Sequence, residues 1–91
     1  MARFMMVMMR GASSGDWATY IEKLIALGKL RGGSSLANGE RLSKRGVEDE
    51  CTVSGYIHIE VADMDEARSL LKGNPLYEAG GVVEILEEVP D

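Results

Sequence analysis

Apolar and polar residues switch between two periods along this chain, and the switches mark its elements. Phe4 to Met9 is an unbroken apolar run of strand length. Phe4, Met6 and Met8 point to one side of such a strand and Met5, Val7 and Met9 to the other, so it is apolar on both faces and belongs in the middle of a sheet. Ser13-Ser14-Gly15-Asp16 interrupts it and offers several helix N-caps. From Trp17 the spacing turns helical: Trp17, Tyr20, Ile21, Leu24, Ile25 and Leu27 form a stripe, with Glu22 and Lys23 opposite, and Gly28 as a natural stop. Leu30 to Ala37 predicts a second, weaker strand. Asn38-Gly39 predicts a hairpin turn into a returning arm, Glu40 to Arg45, and Gly46 to Thr52 reads as an acidic loop. Val53 to Ala62 alternates cleanly, with Ile57, Ile59 and Val61 on one face and Tyr56, His58 and Glu60 on the other. Asp63-Met64-Asp65-Glu66 opens a second helix in the manner of a capping box. That helix carries Ala67, Leu70 and Leu71 and closes at Lys72-Gly73, before Asn74-Pro75. A last strand runs from Val82 to Val89.

The order is strand, helix, strand with its hairpin arm, strand, helix, strand, without repeat or linker, so residues 1–91 read as a single domain. A βαββαβ order predicts an α+β, ferredoxin-like fold: an antiparallel sheet with both helices on one face and the first and third strands central. Those two strands are also the most apolar segments. Two helices cover only one face of the sheet, which leaves three large apolar side chains of the first strand facing out. Each is worth about 1.5–3 kcal/mol when buried. A patch of that kind marks an interface, and pairing with a second copy is the expected solution. Folding of the hairpin or the C-terminal residues over the same face is the alternative.

Charge narrows the partners. Fifteen acidic against ten basic residues give a net charge of −5, which disfavours nucleic acid, because phosphate binding relies on a cationic face. Eight of the ten Lys/Arg lie in residues 1–46 and twelve of the fifteen Asp/Glu in residues 47–91. The two halves are expected to interleave and offset each other. The apolar run ends at Arg10, too short for a signal-peptide core or a membrane span. Cys51 is the one cysteine, so no intrachain disulfide forms, which suits a cytoplasmic setting. It follows Glu48-Asp49-Glu50, which disfavours the thiolate, and it is expected to be inert.

Four stretches, Arg3 to Met9, Gly28 to Leu36, Ser54 to Ala67, and Asn74-Pro75 followed by Gly80-Gly81 to Ile85, together resemble the YCII-related (DGPF-domain) family. The resemblance spans nearly the whole chain, in order. It implies a dimeric α/β-barrel of ferredoxin-like subunits with a cleft between sheet and partner. It also implies relatives of mostly unassigned activity, a few of them muconolactone-isomerase-like or acting on chlorinated aromatic breakdown products. The Asp-Gly-Pro-Phe motif itself is missing, its place taken by Glu48 to Val53. The family's early His–Asp pair has no counterpart either, since the sole histidine is His58.

The polar face of the third strand is where chemistry is expected. Tyr56, His58 and Glu60, at i, i+2 and i+4, point away from the helices and toward the intersubunit cleft. His58 and Glu60 are the candidate proton-transfer pair, the carboxylate orienting the imidazole. Arg10 and Glu84, on the neighbouring strands, and Trp17, at the pocket edge, are candidate ligand-binding residues, although core packing is the favoured role for Trp17, since large aromatics usually serve burial. A solvated polar cluster at a structural interface is the plainer alternative. The methionine sulfurs are split between the faces of one strand, which argues against copper. Gly32-Gly33-Ser34-Ser35 lacks the lysine and the helix of a phosphate loop. No cofactor or metal site is expected. Two readings remain: a homodimeric module that binds a small organic molecule in the cleft, or a small isomerase, lyase or dehalogenase-like enzyme using His58 and Glu60. The missing His–Asp pair favours the first. A haem-binding dimer with His58 as axial ligand is a third.

Overall fold

Burial of one face of each central strand organises the chain. The computed structural model describes residues 1–13, 15–50 and 52–90. The expectations for Ser14 as a cap and for Cys51 as an inert thiol lie outside the described residues. Four strands, β1 (Ala2–Met9), β2 (Leu30–Ser35), β5 (Val53–Val61) and β6 (Val83–Glu87), form an antiparallel sheet in the order β2-β5-β1-β6. The helices are α1 (Trp17–Ala26), α2 (Met64–Ser69) and the short α3 (Pro75–Glu78). This is the ferredoxin-like α+β arrangement, with the two most apolar strands in the middle, as their patterning requires.

Phe4, Met6 and Met8 of β1 and Ile57, Ile59 and Val61 of β5 point under the helices. There they meet Tyr20 and Leu24 of α1, then Ala67, Leu70, Leu71 and Leu76. Tyr20 is placed by its hydroxyl, which donates to the Leu70 carbonyl at 2.7 Å. Burial pushes its phenol pKa up, and the Asn74 amide, close enough to act on it though its Nδ2 has no hydrogen-bond partner, offsets part of that rise.

The helix ends follow their capping chemistry. Asp16 accepts from Ala18 N at 2.9 Å, and Gly28, at φ 71°, ends the first helix. Asp63 accepts from Glu66 N at 2.9 Å while the Glu66 carboxylate reaches back to Ala62 N at 2.7 Å. The capping box therefore closes one residue before the cap. α2 ends at Ser69 with Leu70 as its cap, short of the expected close at Lys72-Gly73, and Asn74-Pro75 starts α3, because proline is tolerated in a first turn and Asn74 Oδ1 accepts from Leu76 N and Tyr77 N.

The hairpin differs from expectation. Asn38-Gly39 makes no tight turn; β2 pairs with β5 instead of with the segment that follows it. The hairpin consists of β3 (Glu40–Ser43) and β4 (Gly46–Glu50), so part of the expected acidic loop is a strand. Ladder pairing with the largely buried β5 holds β2 in place, and the turn moves to Lys44-Arg45, where Gly46 takes the positive φ of 113°. This two-stranded arm stands off the sheet. The Cα radius of gyration is 14.0 Å, against about 12 Å for a compact domain of this length.

Candidate functional site

Small residues on the sheet floor leave a hollow under the start of α1. On the helix side, β2 and β5 present Gly33, Ser35 and Gly55 where larger side chains would fill the space. Met8, Leu30 and Ile57 form the walls and Trp17 and Ile21 the roof of a pocket of about 590 Å³. Ser35 presents its hydroxyl on this face, Ser34 and Ser54 also border the space, and among the described residues no charged side chain contributes to the lining. The close backbone approach explains the glycines: a Cβ on Gly33 would come within 2.5 Å of the Tyr56 carbonyl oxygen, and one on Gly55 within 3.0 Å of that of Ser34. Trp17 is half-buried and meets Tyr20 edge-to-face at 6.1 Å, so it both packs against the core and bounds the pocket. Such a space suits a flat, mostly apolar molecule of modest size with one or two hydrogen-bonding groups.

The opposite, open face carries the ionisable groups. Its register sets Ser34, Tyr56, Val7 and Glu84 in one row and Gly32, His58, Met5 and Leu86 in the next. Tyr56 packs edge-on to His58 at 5.2 Å. Glu60 does not serve His58: it is held by Arg31, whose Nη2 lies 3.0 Å from Glu60 Oε1. The carboxylate on His58 is that of Glu88, 2.8 Å from Nδ1, reaching over β1 from just beyond β6. Position i+2 on the same strand suggested Glu60, whereas a contact across two strands depends on register, which spacing along the chain does not carry. The positive charge of Arg31, also unforeseen, comes from the edge strand beside β5.

The remaining candidates are dispersed. Glu84 is exposed, one row from His58. Arg10 lies past the end of β1, five residues beyond the partner of His58, or about 16 Å along the strand. It does not join the cluster. Of the outward β1 set, Val7 is already buried, while Met5 and Met9 are half-covered. The uncovered apolar area of β1 is therefore smaller than its sequence implies, and exposed Leu86 of β6 extends it.

Glu88 can only accept, so the bond to Nδ1 places the hydrogen of a neutral His58 ring there and leaves Nε2 as its basic atom. Elsewhere, Glu66 is held below the usual carboxylate range chiefly by the Ala62 amide, which outweighs the opposing desolvation, with a further downward pull from Lys29 at 3.4 Å. Among the described residues no group of three or more His, Cys, Asp or Glu side chains is arranged to hold a metal ion. Among the described residues no helix is long and apolar enough to cross a membrane.

No protein-family profile matches the chain, and no curated protein matches it in sequence. Among solved structures, the chain is similar to a 5-chloro-2-hydroxyhydroquinone dehydrochlorinase from Burkholderia phenoliruptrix in complex with 2,5-dihydroxybenzoquinone. The match has a TM-score of 0.58 and covers 98% of this chain and 93% of that one, at 17% identity. At that identity the likeness establishes a shared fold.

Proposed function

We propose that this chain is a YCII-related-like cytoplasmic protein that works as a homodimer and binds a small, flat, uncharged or weakly acidic organic molecule, of the hydroxylated aromatic or quinone kind. The observation that carries this reading is the pocket beneath Trp17, apolar in its walls, free of charged side chains and floored by Gly33, Ser35 and Gly55. A ring fits between an indole roof and a floor of small residues, and the Ser35 hydroxyl can take an oxygen substituent. The dehydrochlorinase of like fold has a dihydroxybenzoquinone bound, which supports the ligand class. The homodimer is supported by apolar side chains left in water on the open side, chiefly Leu86, Met5 and the ring of Tyr56.

Titrating isotope-labelled protein with 2,5-dihydroxybenzoquinone and simple hydroquinones tests this. Shifts are expected at the Trp17 indole and the Gly33 and Gly55 amides. Trp17→Ala, which removes the roof, and Ser35→Leu, which fills the floor, are each expected to weaken binding about tenfold or more, a loss of about 1.4 kcal/mol. Absence of binding across such a panel, or binding indifferent to both substitutions, would overturn the reading.

A second reading, a proton-transfer enzyme of isomerase, lyase or dehalogenase type, is favoured by one contact, His58 Nδ1 to Glu88 at 2.8 Å. There His58 Nε2 takes or gives the proton and Glu88 orients the ring, while Glu60, paired with Arg31, shapes the charge beside it.

A further inference from the structure

Strand register sets out the open face in rows that run from β2 through β5 and β1 to β6. Ser34, Tyr56, Val7 and Glu84 make one row, and Gly32, His58, Met5 and Leu86 the next. Arg31, Glu60, Arg3 and Glu88 make a third. Arg3 is in register with Glu60, Glu88 N donates to the Arg3 carbonyl at 2.8 Å, and Arg31 reaches Glu60 from the β2 bulge. The charges of this row alternate in sign across the whole sheet. Arg3 stands between two glutamates yet is ion-paired to neither, because Glu60 is held by Arg31 and Glu88 by His58. Its exposed guanidinium has no carboxylate partner among the described residues.

A row of alternating charge is complementary to its own reversal. Two copies stacked by their open faces about a two-fold axis parallel to the strands, between β5 and β1, lay each row reversed on itself. Arg3 of each copy then faces Glu60 of the other, and Arg31 faces Glu88. The remaining rows match as well: Gly32 leaves room for Leu86, Met5 covers His58, Val7 meets the Tyr56 ring, and Ser34 faces Glu84. Stacked sheets lie about 10 Å apart, a gap that an arginine and a glutamate bridge together. Their strands cross at about 30°, which displaces the edges more than the contacts beside the axis. A two-fold axis across the strands would instead lay β1 on β1. That strand carries no acidic residue, so Arg3 would gain no carboxylate.

We propose that two copies pair through their open faces about an axis parallel to the strands, locked by reciprocal Arg3–Glu60 ion pairs. This rests on the homodimer reading and assigns its orientation and the residues that fix it. The second copy then sets its Arg31 against Glu88 and its Met5 against His58. The His58–Glu88 pair is thereby roofed by the other copy, in a chamber that one copy alone does not close.

Reciprocity supplies the test. Arg3→Glu and, separately, Glu60→Arg each reverse one side of both contacts, and circular dichroism reads whether the variants fold. In sedimentation equilibrium each variant alone is expected to self-associate at least about tenfold more weakly than the unmodified protein, because like charges then meet twice. Their equimolar mixture is expected to recover affinity, since both contacts in the mixed pair again join opposite charges. Isotope-filtered NOEs in a half-labelled sample of the unmodified protein give a reading that needs no substitution. Contacts between copies are expected from the Met5 methyl to the His58 ring and from Val7 to the Tyr56 ring. NOEs that join β1 only to β1, a folded variant that pairs as tightly as the unmodified chain, or a mixture that recovers nothing overturns the orientation and leaves the homodimer standing. An unmodified protein that stays monomeric throughout overturns both.

Discussion

His58 and Glu88 show how much rests on one contact. Glu88 fixes the ring by accepting from Nδ1, so Glu88→Ala is expected to convert a single Nδ1–H tautomer into a mixture, read from the imidazole nitrogen shifts at a pH where the ring is neutral. An unchanged tautomer would mean that the carboxylate does not orient the ring. A core residue gives the contrast. Leu24 is fully buried against the sheet, and Leu24→Ala is expected to cost about 2–5 kcal/mol in denaturant unfolding, since a cavity remains where the side chain was. These residues differ in how visible their roles are in the chain. Leu24 declares itself by helical spacing. Glu88 does not, because nothing in the order of residues 58 to 88 says that their strands lie two apart with the side chains on one face.

Elements follow local chemistry where they end and tertiary pairing where they join. Asp63 and Glu66 cap α2 together, and Asp63→Ala is expected to lower stability by about 1 kcal/mol. Glu66 adds a pH dependence whose sign is set by its lowered pKa. Its folded carboxyl ionises more readily than the unfolded one, near 4.3. The stabilisation is therefore present above that value and is lost as pH falls through the lower, folded value. Thermal melts between neutral pH and about pH 3 should show a shallower acid decline for Glu66→Gln than for the unmodified chain; parallel curves would remove Glu66 from that role. The hairpin teaches the converse. Asn38-Gly39 is a strong local turn signal, yet β2 is claimed by β5, and a turn signal decides nothing once one of its flanking strands has a better partner.

For the whole molecule, the charges that divide the chain into a basic half and an acidic half are partly reunited by folding, through Lys29 with Glu66 and Arg31 with Glu60. The same scale separates the two candidate sites. The pocket under Trp17 and the His58–Glu88 pair lie on opposite faces of one sheet, so occupation of the first leaves the second free for a partner.

The fold class, the four strands of the main sheet, the two longer helices and most of the core were legible in the chain, though β4 and α3 were not, because burial on a period of two or of 3.6 is a local property that each residue expresses in its own place. Tertiary structure alone decided that Glu60 belongs to Arg31 and His58 to Glu88, that Arg10 stands apart, and that a pocket opens toward α1. Each of these depends on strand register or on the small size of Gly33, Ser35 and Gly55 where two strands lie side by side. Neither has a spacing rule, since both arise from which strand lies beside which.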